Sequence, residues 1–196
     1  MALYREAGDL RRAAGAEANL ADVYNRVGAY AEAADALRKA IEGGRRVNNR
    51  RMEGYALVNL GYALSMQGKT DEALATLREA LARAIHLREI RLTLGARVYL
   101  ARAELGSSPP GAIAKDAEEI AVEAEKVGEL GTGILALTVA ARARLQLGDT
   151  TSALELSSRA MATLDRLGGI EEDEAEVYAT RSRTLDAAGR SAEAIE

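Results

Sequence analysis

Apolar and small residues recur along this chain at three- and four-residue spacing. The pattern breaks at roughly twenty-residue intervals at a glycine or a short polar stretch. Ala16, Leu20, Val23, Tyr24 and Val27 fall on one helical stripe, and Ala33, Leu37, Ala40, Ile41 and Gly44 on the next. Gly28-Ala29-Tyr30 between them is too short for anything but a tight turn, so the two stripes predict an antiparallel helix pair. Sustained period-two alternation is absent, and the chain reads as all-α. First helices are predicted near 10–27, 50–67, 90–106, 130–147 and 173–188, and their partners near 30–46, 70–87, 110–127 and 150–167. Ser108-Pro109-Pro110 supplies a cap followed by a helix-compatible proline, and Gly168-Gly169 a stop.

The pairs repeat with a fixed period. Gly28, Gly68, Ser108 and Gly148 lie forty residues apart, and Gly189 follows one residue late. Seven positions before the first four stands a small residue: Ala21, Gly61, Ala101 and Ala141. Ala33/Ala73/Ile113/Ala153 and Ala40/Ala80/Ile120/Ala160 hold the same phase, with no insertion over four units. The units are expected at about 10–47, 50–87, 90–127 and 130–167, with a partial one at 173–196, as a single array over 1–196. Ala2-Leu3-Tyr4-Arg5-Glu6-Ala7 reads as the last turns of a second helix, and Gly189–Glu196 as the start of another. Neither end shows the polar-faced cap expected of a finished array, so the sequence is expected to be a slice of a longer one.

Asn19-Leu20-Ala21-x2-Tyr24-x3-Gly28-x-Tyr30-x-Glu32-Ala33-x3-Leu37-x2-Ala40 resembles a tetratricopeptide repeat. Asn59-Leu60-Gly61-x2-Leu64-x3-Gly68-x3-Glu72-Ala73-x3-Leu77-x2-Ala80 is similar to it as well. The third unit matches most weakly, and the fourth has Arg144 where Tyr or Leu is expected. The common form of the family has 34 residues and a terminal Pro; this chain is similar to the longer bacterial variety of about 40 residues. The resemblance implies a right-handed superhelical α-solenoid of antiparallel helix pairs. It also implies kinship with the arrays of multidomain serine/threonine kinases, signalling ATPases and related regulators.

Composition changes the picture mainly by exclusion. The chain has 196 residues, no Cys, Phe or Trp, two Pro and one His. Disulfides, thiol nucleophiles and Cys-based zinc sites are therefore excluded. No cofactor or metal is expected. Apolar runs fall well short of a membrane span and no signal segment follows Met1, which predicts a cytoplasmic protein without membrane contact. Counting gives 41 Ala and 25 Leu. A core of such residues brings helix backbones close together.

Chemistry-bearing groups are few. His86 lies near a helix end with no triad partners in view and reads as a surface or packing residue. Glu171-Glu172-Asp173-Glu174 and Glu176 read as the dipole-complementing first turn of a helix. Gly128, Gly131 and Gly133 approximate a phosphate-loop spacing but follow a helix and lack its Lys. The chain is expected not to be an enzyme.

Arg45-Arg46-Val47-Asn48-Asn49-Arg50-Arg51 is the sharpest basic cluster. Residues 1–98 carry 16 basic and 12 acidic side chains, and 99–196 carry 10 and 18. This asymmetry fits an acidic protein partner better than RNA, and it would also allow head-to-tail self-association.

The outward stripe of the first helices, which forms the concave groove in the family, is the expected peptide- or protein-binding site. Its residues are Asn19, Asp22, Tyr55, Asn59, Tyr62, Tyr99, Arg102, Thr138 and Arg142. Tyr and Arg concentrate binding energy, and an Asn amide can pair with a peptide main chain. Of the family's carboxylate clamp only Asn59 is matched; Ala18, Asp22, Gly95 and Tyr99 stand where its other residues would be, which disfavours binding of a chaperone tail. The expected function is a non-catalytic scaffold for a protein segment or for other domains of the same parent chain. The alternatives are a nucleic-acid module built on Arg45–Arg51, or a fragment of an enzyme whose catalytic domain lies elsewhere.

Overall fold

A computed structural model describes residues 9–170 and 173–194. The described residues are helical with tight turns and fall into two compact units, Met1–Ala103 and Glu104–Glu196. Unit 1 holds α1 (Leu10–Arg26), α2 (Tyr30–Arg46), α3 (Arg50–Met66), α4 (Thr70–Leu87) and α5 (Ile90–Glu104), whose last residue opens unit 2. Unit 2 continues with α6 (Pro110–Val127), α7 (Leu130–Gln146), α8 (Thr150–Leu167) and α9 (Glu174–Ala187). A 3₁₀ turn at Ser191–Ala194 follows. Helix limits agree with the predicted ones to within about two residues. Ala2–Ala7 and Glu171-Glu172 lie outside the described residues.

The forty-residue period has a backbone cause. Within pairs the turn needs a left-handed residue, supplied by Gly28, Gly68 and Gly148 with φ of 77°, 73° and 74°. The third repeat meets the same need with Gly106 (φ 94°), two residues before the Ser108 column, and α5 is correspondingly shorter. Ser108 does not cap α6; Pro109 occupies the N-cap position, and Ser107 donates to the Glu104 carbonyl instead. Between pairs a second left-handed column runs through Asn48, Arg88, Gly128 and Gly168. Asp9, Asn49 and Asp149 cap α1, α3 and α8 by accepting the N–H three residues on, at 3.0–3.1 Å.

The core confirms the small-residue columns. Ala21, Ala33, Ala40, Ala73, Ala80, Ala141 and Ala153 are inaccessible to solvent. At Gly61 an added Cβ would stand 2.4 Å from Leu77 Cγ, so the helices cross there because the side chain is missing. Leu37 and Leu77 are fully buried between helices, each contributing about 1.5–3 kcal/mol.

The stripe expected on α1 is not the buried one. Ala13, Ala14, Glu17, Ala21 and Asn25 face inward, while Val23 and Val27 are 54% and 70% exposed. The equivalent side of α3, with Ala63 and Leu64, is buried. No described element covers that side of α1.

Candidate functional site

The first-helix face of unit 1 is built on α1, α3 and α5. Tyr55, Asn59, Tyr62 and Met66 follow one another at four-, three- and four-residue steps and so share one face of α3. Three tyrosines form its floor. The Tyr30 ring, from the first residue of α2, meets Tyr62 edge-on at 6.0 Å and 83°; Tyr62 meets Tyr99 of α5 at 5.3 Å and 54°. These separations are those at which aromatic pairs attract through their quadrupoles. Arg102 lies over the Tyr62 ring at 5.5 Å and donates from Nη2 to Met66 Sδ at 3.3 Å. At the other end of α3 the Arg51 guanidinium lies 5.8 Å from the Tyr55 ring centre. Hydrogen bonding to Tyr55, with the Glu89 carboxylate nearby, holds the Arg51 charge more firmly than usual. Gln67 Nε2 donates to the Tyr30 carbonyl at 2.8 Å and ties the end of α3 to the start of α2.

The residues expected to bind are thus placed unequally. Asn19 is exposed, Tyr55 is 37% exposed and Asn59 is half-buried. Asp22 is half-buried and pairs with Arg26 at 3.4 Å, and Tyr99 and Arg102 line the ladder, half-buried. Tyr62 is only 5% exposed, a floor residue enclosed by other rings. In unit 2, Thr138 is buried and donates to the Ile134 carbonyl at 2.8 Å, the common return of a helical Thr to its own backbone. Arg142, half-buried, pairs with Glu176. Tyr30 is absent from the expected set. The signal for it exists in the sequence, since a Tyr in the first turn of α2 lies beside the α3 stripe once the helices pair.

The basic cluster is largely committed within the chain. Arg45 donates from Nε to Glu53 Oε1 at 2.5 Å and from Nη2 to Glu79 at 3.3 Å; the Glu53 hydrogen bond raises its pKa from the ordinary value. Arg83 completes the group with Nη1 on Glu53 at 2.8 Å and Nη2 on Glu79 at 3.0 Å. Glu53 is buried, so these four groups stitch α2, α3 and α4 together in a way sequence reasoning missed. Arg46 pairs with Glu42 at 2.6 Å and Arg51 with Glu89 at 3.7 Å. His86 is exposed and lines a cavity of about 430 Å³ with Arg50, Glu79 and Arg83. Among the described residues no group of three His, Cys, Asp or Glu side chains could hold a metal ion, and no helix is long and apolar enough to cross a membrane.

Residues 11–85 match the family model for the tetratricopeptide repeat. No curated protein matches the chain by sequence. Among solved structures, the chain is similar to a Podosopora anserina kinesin light chain-type protein with nearly identical TPR-like repeats. The identity is 19% and the TM-score 0.64, over 91% of this chain and 88% of that one. It is similar to a Rap protein complexed with Competence and Sporulation Factor, at 14% identity and TM-score 0.77, over 95% of this chain and 52% of the other. It is also similar to aspartyl phosphate phosphatase F from Bacillus subtilis, at 15% and 0.74, over 95% and 48%. The chain spans about half the length of these last two. Residues 11–85 are thus similar in sequence to the tetratricopeptide repeat, and a helix-pair fold like that of TPR-like structures continues through the rest of the described chain.

Proposed function

We propose that the chain is a non-catalytic protein-interaction scaffold, and that the first-helix face of unit 1 holds an extended segment of its partner. The observation that carries this reading is the arrangement on α1, α3 and α5. Asn19, Tyr55 and Asn59 reach solvent beside a floor of interlocked rings. A floor already fixed by Tyr30, Tyr62 and Tyr99 loses little side-chain entropy on binding. The two Asn amides offer donor and acceptor together to a main chain. The similar Rap protein, in complex with Competence and Sporulation Factor, supports a fold of this kind as a partner-binding frame. The pairing of Arg45, Arg46 and Arg51 with the chain's own carboxylates supports a protein partner over a nucleic acid.

The test compares the chain with an Asn19→Ala/Tyr55→Ala/Asn59→Ala variant of matched helicity as baits, alongside RNA binding measured against salt. A protein recovered by the first bait and reduced at least tenfold with the second supports the reading. Equal recovery by both overturns the site, and RNA binding with a steep salt slope overturns the function.

A further inference from the structure

The forty-residue register sets unit 2 against unit 1 position by position, eighty residues apart. The charged group on α2, α3 and α4 then finds its counterparts on α6, α7 and α8. Arg45 corresponds to Glu125, Glu53 to Gly133, Glu79 to Arg159 and Arg83 to Thr163. The buried carboxylate of unit 1 has been deleted, one of its two cations is gone, and the remaining two charges have changed sign.

The structure shows what the deletion leaves. Gly133, Glu125, Arg159 and Arg166 line a cavity of about 210 Å³ with a floor that includes Ala121 and Leu137. That is below the size of a drug-binding pocket and suits a single side chain. In unit 1 every charge of the cluster is answered by another. In unit 2, among the described residues, neither Arg159 nor Arg166 makes an ion pair, although both border the cavity. Gly133 is not a glycine of necessity. A Cβ there would meet only ordinary contacts, Ala124 Cβ at 3.7 Å and the Ala121 carbonyl at 3.9 Å. The hollow therefore has room in the direction a longer side chain would take.

We infer that this hollow between α6 and α8 receives an acidic side chain, Glu or Asp, from a partner protein. That side chain is held by Arg159 and Arg166, which occupy the register positions of Glu79 and His86 rather than those of Arg45 and Arg83, the two cations that hold Glu53 in unit 1. Its aliphatic stem lies on Ala121 and Leu137, and its carboxylate meets guanidinium donors that make no ion pair with another described residue. Glu125, which also lines the hollow, repels the carboxylate and favours its place at the two arginines of α8. The surface involved belongs to second helices as well as a first, and the inference does not depend on the site proposed on unit 1.

Two measurements test it on the whole chain. In the first, Gly133→Glu and Gly133→Gln are melted with and without Arg159→Ala. The restored carboxylate should raise the midpoint over the amide by about 2–4 °C, the size of one modest pairing in a chain of this length, and the gain should vanish without Arg159. Equal midpoints for Glu and Gln overturn the inference. In the second, wild-type protein is titrated with N-acetyl-glutamate N-methylamide while the Arg159 and Arg166 Nε–H resonances are followed. Saturable shifts at these two arginines are expected, at least tenfold weaker with the glutamine analogue or with acetate, and abolished in Gly133→Glu. Shifts of the same size with the glutamine analogue overturn the carboxylate, and the same size with acetate overturns the side-chain source. Equal shifts at the arginines of unit 1 overturn the site.

Discussion

Arg144 of α7 closes on Glu118 of α6, with Nε and Nη2 lying 2.9 and 2.7 Å from the same Oε1. The position is one where the first repeat carries Tyr24 and the second Leu64, so a bulky residue of the family pattern has been exchanged for an ion pair. Both partners are about one-third exposed, at 30% and 36% of the side chain, and the pair is screened accordingly. The Glu118 hydrogen bond raises the Arg144 pKa from its ordinary value, so the charge is permanent at any working pH.

Replacing Arg144 tests which property the position needs. Arg144→Ala loses both the pair and the packing of the long stem, and should cost about 1 kcal/mol. Arg144→Leu restores the expected apolar residue, leaves Glu118 to water, and should stay within about 0.5 kcal/mol of wild type. Urea denaturation monitored by helicity gives both values. A Leu variant as weak as the Ala variant would mean that the ion pair itself is essential.

The buried cluster of unit 1 behaves differently because Glu53 has only 4% of its side chain exposed. Arg45→Ala/Arg83→Ala would leave that carboxylate without a counter-ion, which costs about 3–5 kcal/mol. Glu53→Met removes the charge and keeps the volume; the two arginines can turn to solvent, and the loss should be within about 1 kcal/mol. The order of the two variants in urea midpoint is the measurement.

How much of this is legible in the sequence depends on the range of the interaction. Helix limits can be read because Gly28, Gly68 and Gly148 force left-handed turns locally, within four residues of the helices they end. The small columns can be read because Ala21 and Gly61 recur where helices cross. The buried face of α1 cannot. Val23 and Val27 have the right spacing, yet they stay exposed because burial depends on which neighbouring element packs against the face, and no described element covers this one. Tyr62 has the spacing of a groove residue, but Tyr30 and Tyr99 come from helices 32 and 37 residues away in sequence and enclose it. The Glu53 cluster joins residues 8 and 30 positions apart, and the run Arg45–Arg51 reads as free basic surface until those partners are placed.

Two helical glycines with opposite surroundings should respond oppositely to alanine. At Gly61 the added methyl meets Leu77 Cγ at 2.4 Å and Cδ2 at 2.6 Å, inside a core where Leu77 cannot retreat to solvent. Gly61→Ala should cost about 1–3 kcal/mol by overpacking. At Gly133 nothing lies closer than 3.7 Å, and Gly133→Ala should gain about 0.5–1 kcal/mol from helix propensity. Parallel thermal melts of the two variants check the contrast.

Arg88 ends α4 in the left-handed region at φ 54°, in the column where the later repeats carry Gly128 and Gly168. A side chain there costs about 1–2 kcal/mol against the following carbonyl. Arg88→Gly should recover part of that, less the extra entropy of glycine in the unfolded chain, and raise the melting temperature. The same exchange at Arg91, inside α5, should lower it. A fall in midpoint for Arg88→Gly would show that the guanidinium contributes more than the turn costs.

Asp149 gives the chain an acid-sensitive cap. Its carboxylate accepts the Ser152 N–H at 3.1 Å at the start of α8. Hydrogen bonds from the Ser152 side chain and backbone hold its pKa below the ordinary 3.8, with Arg144 Nη1, 3.5 Å away, acting in the same direction. A group whose pKa is lower folded than unfolded binds fewer protons when folded. Its stabilisation is therefore complete above the unfolded value of about 3.9 and is lost as pH falls through the depressed one. Asp149→Ala should lower the thermal midpoint by a constant amount from neutrality down to about pH 5, where both forms of Asp149 are almost fully ionised. Below about pH 4 the gap should narrow as wild type loses the charged cap. Asp149→Asn, which keeps a capping oxygen without the charge, should lie between the two at neutral pH and show no such narrowing against Asp149→Ala. Melts from about pH 2.5 to 7 resolve the three curves across the carboxylate range, and a gap between wild type and Asp149→Ala that widens in acid would reverse the sign assigned to this carboxylate.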